Sequence, residues 1–253
     1  VQKGILHIYK DINQLNLARE TNKIYKLAGL ERWEVNKNEL NNIEPSLANE
    51  NIVGGFYNTT DFTGDIHKFC MELSNILENK YDVKFIKHHA KNIHEELINS
   101  DLVLVCAGIG SKKLAKSIGD NLPIYPVKGY SITINNPGDN SPWVSLLDDE
   151  KKIVTARLGE KRLRIAGTAE FSGYNTDIKW NRVRPLIRWA ETNFPNINTE
   201  DIKPWAGLRP MTPNMMPIIN RSKKNKNVFY NTGHGHLGWT LSAYTAKYIS
   251  ELI

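Results

Sequence analysis

The sequence predicts a mixed α/β protein, and three observations lead to this fold class. Short apolar, β-prone runs alternate with helical segments toward both ends of the chain. Several strand-like segments follow one another in the middle, which is typical of an antiparallel or mixed sheet. Residues 102–107 form a continuous apolar run, as expected of a strand buried on both faces of a sheet. At 253 residues with 40% hydrophobic content, the chain can bury a substantial core.

The first half is predicted to alternate strands with helices. Apolar patterning predicts strands over residues 5–9, 53–57, 83–86 and 102–107. Apolar residues at helical spacing predict helices over residues 12–27, 38–43 and 65–77. Gly29 is expected to end the first of these helices, and Asp65 to cap the third. Ser111 is expected to cap a further helix after the 102–107 strand.

The second half is predicted to be richer in strands. They cover residues 127–134, 143–147, 153–158, 162–169 and 228–230. Gly159-Glu160 is expected to form a hairpin turn, and Lys223-Lys224-Asn225-Lys226 a turn between two strands. Helices are predicted over residues 180–193 and 241–252.

Arg209 is the residue that most strongly indicates a binding site. It stands between Leu208 and Pro210, among residues that need no charge. A guanidinium there could hold a carboxylate through two parallel hydrogen bonds. The alternative is an arginine that caps a helix or pairs with a surface carboxylate.

A glycine turn between a strand and a helix is the second candidate site. Gly233, Gly235 and Gly238 permit backbone angles and close approaches that a Cβ would forbid. A helix that starts on such a turn directs free N–H groups and a partial positive charge at the space before it. That environment suits an anion or an electron-rich carbonyl, although a plain tight turn would have the same sequence.

Several motifs resemble the D-amino-acid oxidase family of flavoproteins and, within it, the small subunits of bacterial D-amino acid dehydrogenases. The motifs are Gly207-Leu208-Arg209-Pro210, Thr212-Pro213-Asn214, Asn231-Thr232-Gly233-His234-Gly235-His236-Leu237-Gly238-Trp239-Thr240, Val103-Leu104-Val105-Cys106-Ala107-Gly108 and Pro126-Val127-Lys128-Gly129-Tyr130-Ser131. The similarity runs the whole length of the chain and is most specific in its last 50 or so residues. It implies an incomplete glutathione-reductase-like FAD domain interleaved with a substrate domain built on a mixed or antiparallel sheet.

The resemblance also implies roles for individual residues. Arg209 would bind the substrate carboxylate, with Tyr130, Tyr174 and His236 as weaker substrate contacts. The FAD contacts would come from two turns and comprise Ala107, Gly108, Gly233, His234, Gly235, Gly238, Trp239 and Thr240. The implied reaction is the oxidative deamination of a D-amino acid to a 2-oxo acid and ammonia, with electrons passed to an acceptor other than oxygen.

One departure from the family pattern is expected to matter. The family opens with a strand, a Gly-x-Gly-x-x-Gly turn and a helix, which cradle the FAD pyrophosphate. No such unit opens this sequence, and in Gly108-Ile109-Gly110 the third glycine is replaced by Lys113. We therefore expect a truncated or split form that lacks the nucleotide-binding segment and binds FAD weakly by itself.

Three functions remain open at this point. The chain is a D-amino acid dehydrogenase, a non-catalytic remnant or half of a split enzyme whose partner chain carries the missing segment, or another amine-oxidising flavoenzyme such as a glycine or sarcosine oxidase. The expected division assigns residues 1–64 and 123–202 to the substrate domain. Residues 65–122 and 203–253 would then form the FAD domain.

Charge and cysteine content favour a cytoplasmic protein that does not bind nucleic acid. The net charge is +6, but the lysines are scattered and no nucleic-acid-binding motif accompanies them. Weak attraction to the inner face of a plasma membrane, where a quinone could accept electrons, is the minor alternative for the lysine-rich turn. Cys70 and Cys106 form no CxxC motif and are expected to be reduced and in apolar surroundings. His234 and His236 alone make a weak ligand set, so no metal is expected.

Overall fold

The computed structural model describes residues 3–253, and the chain divides into two compact units. The first unit contains the residues up to Asp65, Gly129–Ala169 and Asp177–Ala206. The second contains Ile66–Lys128, Glu170–Thr176 and Gly207–Ile253. The short Glu170–Thr176 segment belongs with the second unit, a feature that the expected four-segment division lacks.

The part of the chain that the structure describes contains both strands and helices. The strands are β1 (Ile5–Tyr9), β2 (Trp33–Val35), β3 (Gly54–Asn58), β4 (Val103–Val105), β5 (Tyr125–Asn135), β6 (Ser145–Asp148), β7 (Ile153–Arg157), β8 (Arg162–Glu170), β9 (Ile202–Met211), β10 (Ile218–Arg221) and β11 (Val228–Thr232). The helices are α1 (Ile12–Leu27), α2 (Lys37–Ile43), α3 (Ile66–Tyr81), α4 (Ile93–Glu96), α5 (Ser111–Lys116), α6 (Trp180–Asn193) and α7 (Gly238–Leu252). The mixed α/β class predicted from the sequence is therefore confirmed.

The larger sheet is mixed, with strand order β2-β3-β1-β6-β7-β8-β5-β9. Strand β1 pairs antiparallel with β3 and parallel with β6. The predicted hairpin at Gly159-Glu160 is confirmed, since β7 and β8 pair antiparallel across it. The apolar side of α6 contributes Val183, Leu186 and Ala190 to the main core, together with side chains of the sheet.

The smaller sheet lies in the second unit and has the order β10-β11-β4. Strand β11 is central because it pairs antiparallel with β10 and parallel with β4. The Lys223-Lys224-Asn225-Lys226 segment turns between β10 and β11, as predicted. A second core forms around this sheet and includes Val105, Val228 and Tyr230.

Strand β4 and helix α3 leave apolar side chains exposed. Strand β4 is at the edge of the smaller sheet, and both Leu102 and Leu104 are 37% exposed. Helix α3 has no buried residue, although its predicted apolar face includes Phe69 and Leu73. Apolar surface of this kind usually marks a place where another element packs.

Some sequence-based expectations are wrong. Residues 83–86 form no strand. Ser111 does not cap α5, because it is the first residue of that helix and is fully buried. Cys70 and Cys106 are free thiols, as expected, but both are exposed rather than enclosed by apolar side chains.

Candidate functional site

The two turns predicted to contact a cofactor lie at the same edge of the smaller sheet. Because β4 and β11 are parallel, with Val103 beside Val228 and Val105 beside Tyr230, their carboxyl ends point the same way. Strand β4 leads into the turn at Ala107 and Gly108, and β11 leads into the glycine turn. Ligands of open α/β sheets bind at the carboxyl ends of parallel strands.

Thr232, at the end of β11, joins these two turns. Its hydroxyl donates to the carbonyl oxygen of Gly108 at 3.2 Å and forms a buried hydrogen bond with the Ser111 hydroxyl at 2.9 Å. Sequence reasoning missed both roles. The available signal was a hydroxyl residue at the end of β11 and another at the start of α5, where neighbouring backbone groups need partners.

The glycine turn packs closely against the segment that carries Arg209. The backbone N–H of Gly235 donates to the carbonyl oxygen of Pro210 at 3.0 Å. A Cβ on Gly235 would lie 2.8 Å from the sulfur of Met211, and one on Gly233 would lie 2.9 Å from Cγ2 of Thr212. Both glycines also have positive φ, +76° for Gly233 and +59° for Gly235. The fold thus brings together the two candidate sites that the sequence identified separately.

Gly233, Gly235 and Gly238 also have Gly-x-Gly-x-x-Gly spacing between β11 and α7. The spacing alone is a weak signal for a dinucleotide site. Here the first two glycines allow the turn to pack on Thr212 and Met211, so close packing within the protein accounts for them.

Helix α7 begins at Gly238 without a side-chain cap on its first turn. The N–H groups of an uncapped first turn are available to a ligand, and the helix dipole makes that end electropositive. Trp239 and Thr240 in this turn are exposed, as is the preceding His236. This end of α7 can therefore favour negative charge.

His234 ties the glycine turn to α7. Its Nε2 lies 3.1 Å from the hydroxyl oxygen of Thr245, about two turns into the helix. Burial lowers the pKa of His234, because desolvation disfavours the charged imidazolium. We therefore assign His234 a neutral imidazole that holds the turn in place.

Arg209 is half-buried near the end of β9. Burial lowers the pKa of its guanidinium, because desolvation disfavours the charged form, yet an arginine remains charged at neutral pH. A half-buried, permanent cation on the segment that packs against the glycine turn suits a small anionic ligand.

The predicted tyrosines have different environments. Tyr174 is exposed and lies in the Glu170–Thr176 segment of the second unit. Tyr130 is 1% exposed and belongs to the core of the first unit, so packing accounts for its position. A substrate contact by either side chain stays a prediction.

Lys128 anchors both ends of the Glu170–Thr176 segment, and sequence reasoning gave it little weight. Its side chain is fully buried, with Nζ 3.3 Å from a carboxylate oxygen of Glu170 and 3.1 Å from Oδ1 of Asn175. The segment that carries Tyr174 is thereby fixed at its start and near its end.

The residues at the sheet edge are compatible with part of an FAD molecule. Within residues 3–253, Oδ1 of Asn231 is buried without a hydrogen-bond partner, directly before Thr232. A Cβ added to Gly108 would meet no atom within 4 Å, so there is open space beside this turn. An unsatisfied acceptor, open space and an electropositive helix end fit a polar ring system with a hydrogen-bonding edge.

Comparisons with known proteins identify the family to which the chain belongs. Residues 1–252 match the family model of FAD dependent oxidoreductases, and the chain belongs to this family. A protein of Mesorhizobium japonicum named D-amino acid dehydrogenase 3 is 44% identical over all of this chain. A D-amino acid dehydrogenase of Dechloromonas aromatica is 36% identical, also over all of this chain. In both cases the chain spans 65% of the relative's own length.

Solved structures show the same fold at lower identity. Glycine oxidase from Geobacillus kaustophilus matches with a TM-score of 0.88 and 18% identity, covering 100% of this chain and 70% of that chain. L-proline dehydrogenase from P. horikoshii matches with a TM-score of 0.82 and 14% identity, covering 100% of this chain and 72% of that chain. Among the described residues, no helix is long and apolar enough to cross a membrane.

Proposed function

We propose that this chain supplies the substrate-carboxylate site and flavin-facing turns of an FAD-dependent dehydrogenase that oxidatively deaminates D-amino acids. The observation that carries the proposal is the hydrogen bond from Gly235 N–H to the carbonyl oxygen of Pro210, next to Arg209. It fixes the half-buried arginine beside the turn that leads into α7. The names of the relatives support a D-amino acid as substrate.

FAD would be held at the carboxyl ends of β4 and β11. The residues assigned to it are Ala107, Gly108, Gly233, His234, Gly235, Gly238, Trp239 and Thr240. When bound, FAD supplies the acceptor for the two electrons that leave the amino acid. The first turn of α7 would favour negative charge on the neighbouring ring edge, as oriented backbone donors do in other enzymes.

Arg209 would fix the substrate by its carboxylate. Two parallel hydrogen bonds from the guanidinium restrain rotation of the carboxylate, so the Cα–H bond keeps one direction. Such orientation accounts for a large part of the rate enhancement in enzymes that hold reacting groups in line. Tyr174 and His236 are exposed in the same unit as Arg209 and are proposed to contact the substrate.

The proposed reaction needs no side chain of the protein to act as a base. The D-amino acid loses two electrons and two protons to give an imino acid, which water hydrolyses to a 2-oxo acid and ammonia. We propose that the electrons pass to an acceptor other than oxygen, such as a quinone at a membrane surface.

A second candidate function is favoured by the exposed edge of β4. An edge strand with exposed Leu102 and Leu104 suits pairing with a further strand. The chain would then be half of a split flavoenzyme, with a partner chain that supplies the nucleotide-binding segment, or a non-catalytic remnant of one. A glycine or sarcosine oxidase-like activity is the neighbouring enzymatic alternative.

Reconstitution tests these candidates against one another. The purified chain is mixed with FAD alone, and with FAD plus the part of the Mesorhizobium japonicum relative that this chain does not cover. Flavin absorbance between about 350 and 500 nm after gel filtration measures cofactor binding. Anaerobic dye reduction with D-amino acids, L-amino acids, glycine and sarcosine measures activity.

We expect little retained flavin with the chain alone, and retained flavin with D-selective dye reduction after the missing part is added. Reduction by glycine or sarcosine instead would support the oxidase-like alternative. Flavin retention without any amine oxidation would overturn the dehydrogenase proposal in favour of a remnant.

A further inference from the structure

The first unit contains a charged pocket that the proposed reaction does not use. The pocket has a volume of about 230 Å³ and is formed by α1, β1, the turn between β6 and β7, and the connection from α1 to β2. Its charged and titratable lining comprises His7, Tyr9, Tyr25, Arg32, Asp149 and Lys152, and we call it the Arg32 pocket. Arg209 and the glycine turns belong to the other unit.

Arg32 is an unusual residue to bury. Only 9% of it is exposed, yet within residues 3–253 no carboxylate lies within ion-pair distance of it. The rings of Tyr25 and Phe56 lie 4.5 and 4.6 Å from its guanidinium carbon. Aromatic faces offset part of the desolvation cost, but a buried guanidinium without a counter-ion remains expensive.

The arrangement leaves the edge of the guanidinium for an anion. Its Nε donates to Oδ1 of Asn22 at 2.8 Å, and the two rings cover it. A guanidinium whose plane is set by aromatic contacts is organised to meet a planar carboxylate, and less of its rotational freedom is lost on binding. The Arg32 pocket thus has a prepared cation that faces open space.

Asp149 provides the opposite charge in the same pocket. One oxygen of its carboxylate accepts from the Tyr9 hydroxyl at 2.6 Å and lies 2.9 Å from Nδ1 of His7. Arg32 lines the same pocket as Tyr9 and Asp149. Burial and the Asp149 carboxylate raise the pKa of Tyr9, and the Arg32 guanidinium opposes that rise. The Asp149 side chain is still 33% exposed and can accept a further donor.

We propose that the Arg32 pocket binds a small α-amino acid, with its carboxylate on Arg32 and its ammonium group on Asp149. In an α-amino acid both charged groups are attached to one carbon, which matches a cation and an anion in the lining of one small pocket. This binding site is separate from the site at which Arg209 is proposed to hold the substrate, and it does not require FAD.

The test uses glycine as the probe, titrated into isotopically labelled chain without flavin. The background is Arg209→Ala, so that binding at the proposed substrate site does not contribute. The NMR signals of the His7 ring report on the pocket because His7 contacts Asp149. We expect saturable shifts with a dissociation constant on the order of 1 mM, as is reasonable for a small ligand.

Three variants decide which charges bind. Arg32→Gln should weaken glycine binding at least about tenfold, and Arg32→Lys should keep part of it because charge remains without the planar fork. Asp149→Asn should weaken glycine binding while acetate, which has no ammonium group, binds as before. Exposed Arg184→Gln serves as the matched control and should change nothing.

The proposal would be overturned if no NMR shifts appear at a glycine concentration 100 times the expected dissociation constant. It would also be overturned if the shifts are equal in the parent protein and in Arg32→Gln. If Arg32→Gln fails to fold, the glycine and acetate titrations of Asp149→Asn still decide the outcome. Equal weakening of both probes by Asp149→Asn, or of neither, also counts against an amino acid. These titrations do not depend on the proposed amino acid oxidation, so its failure would leave all of their results unchanged.

Discussion

At the scale of single residues, Lys128 carries the largest predicted effect on stability. Its ammonium group is completely buried between Glu170 and Asn175. A buried ion pair adds little net stability, but removal of one partner leaves an uncompensated charge and typically costs about 3–5 kcal/mol. The cost arises because the remaining carboxylate has lost both water and its counter-ion.

We predict that Lys128→Met lowers the free energy of unfolding by about 3–5 kcal/mol, measured by chemical denaturation. Lys128→Met combined with Glu170→Gln should recover part of this loss, since no buried charge then lacks a partner. The exposed Lys23, which pairs with Glu20, gives the matched control Lys23→Met. Equal unfolding midpoints for Lys128→Met and Lys23→Met would show that the buried pair is not important.

Sequence reasoning was more successful with backbone motifs than with these buried polar contacts. Arg209 and the glycines were identifiable because a lone arginine among apolar residues and repeated glycines are unusual locally. Thr232, Lys128 and Asp149 were not, because each is defined by a partner more than forty residues away in the chain. Such pairings appear only when the strands that carry them are placed side by side.

At the scale of elements, the junction between the glycine turn and α7 is predicted to respond to pH. Burial lowers the pKa of His234 below the ordinary 6.5, so the folded state holds this imidazole neutral while the unfolded state protonates it more readily. The contribution of this residue to stability is therefore complete above about pH 6.5 and declines as the pH falls toward the folded-state pKa.

We predict that His234→Gln flattens part of the acid-side loss of stability, because glutamine cannot be protonated in this range. The measurement is the difference in the free energy of unfolding between wild type and His234→Gln at several pH values from 7.5 down to 5. His236→Gln, in the same turn but exposed, is the control. A wild type that follows the same pH dependence as His234→Gln would contradict the role assigned to burial.

The elements that sequence patterns predicted well were those with a full local signal. Helices α1 and α6 show apolar spacing over four turns, and β7 and β8 flank a glycine turn. Strand β9 was missed because Pro204 and Pro210 argue against a strand, yet prolines are tolerated at the edge of a sheet, where β9 lies. Residues 83–86 looked like a strand, but a strand also needs a neighbour to pair with, which a local pattern does not reveal.

At the scale of the whole molecule, the chain combines a complete mixed sheet with a smaller, less enclosed sheet unit. The first unit has a large core and contains most of the eight-stranded sheet. The second has three strands, an exposed edge at β4 and a helix, α3, without a buried residue. The chain spans 65% of the length of the D-amino acid dehydrogenases that it matches.

The central claim is that Arg209 binds the carboxylate of the substrate, and steady-state kinetics of the reconstituted, flavin-loaded protein test it most directly. The two substrates are a D-amino acid and the matching amine without its carboxylate. Arg209→Ala should lose about 2–5 kcal/mol of transition-state stabilisation in kcat/KM for the D-amino acid, as for other buried charged pairs. Part of the loss should appear in kcat, because a carboxylate that can rotate no longer fixes the Cα–H bond.

The same variant should leave oxidation of the amine almost unchanged, since the amine has no carboxylate to bind. Arg209→Lys should be impaired to an intermediate degree, because it keeps the charge but loses the planar fork. Arg184→Ala, an exposed arginine of the first unit, is the control. If Arg209→Ala oxidises the D-amino acid as efficiently as wild type, the arginine is structural and the assignment of the site is wrong.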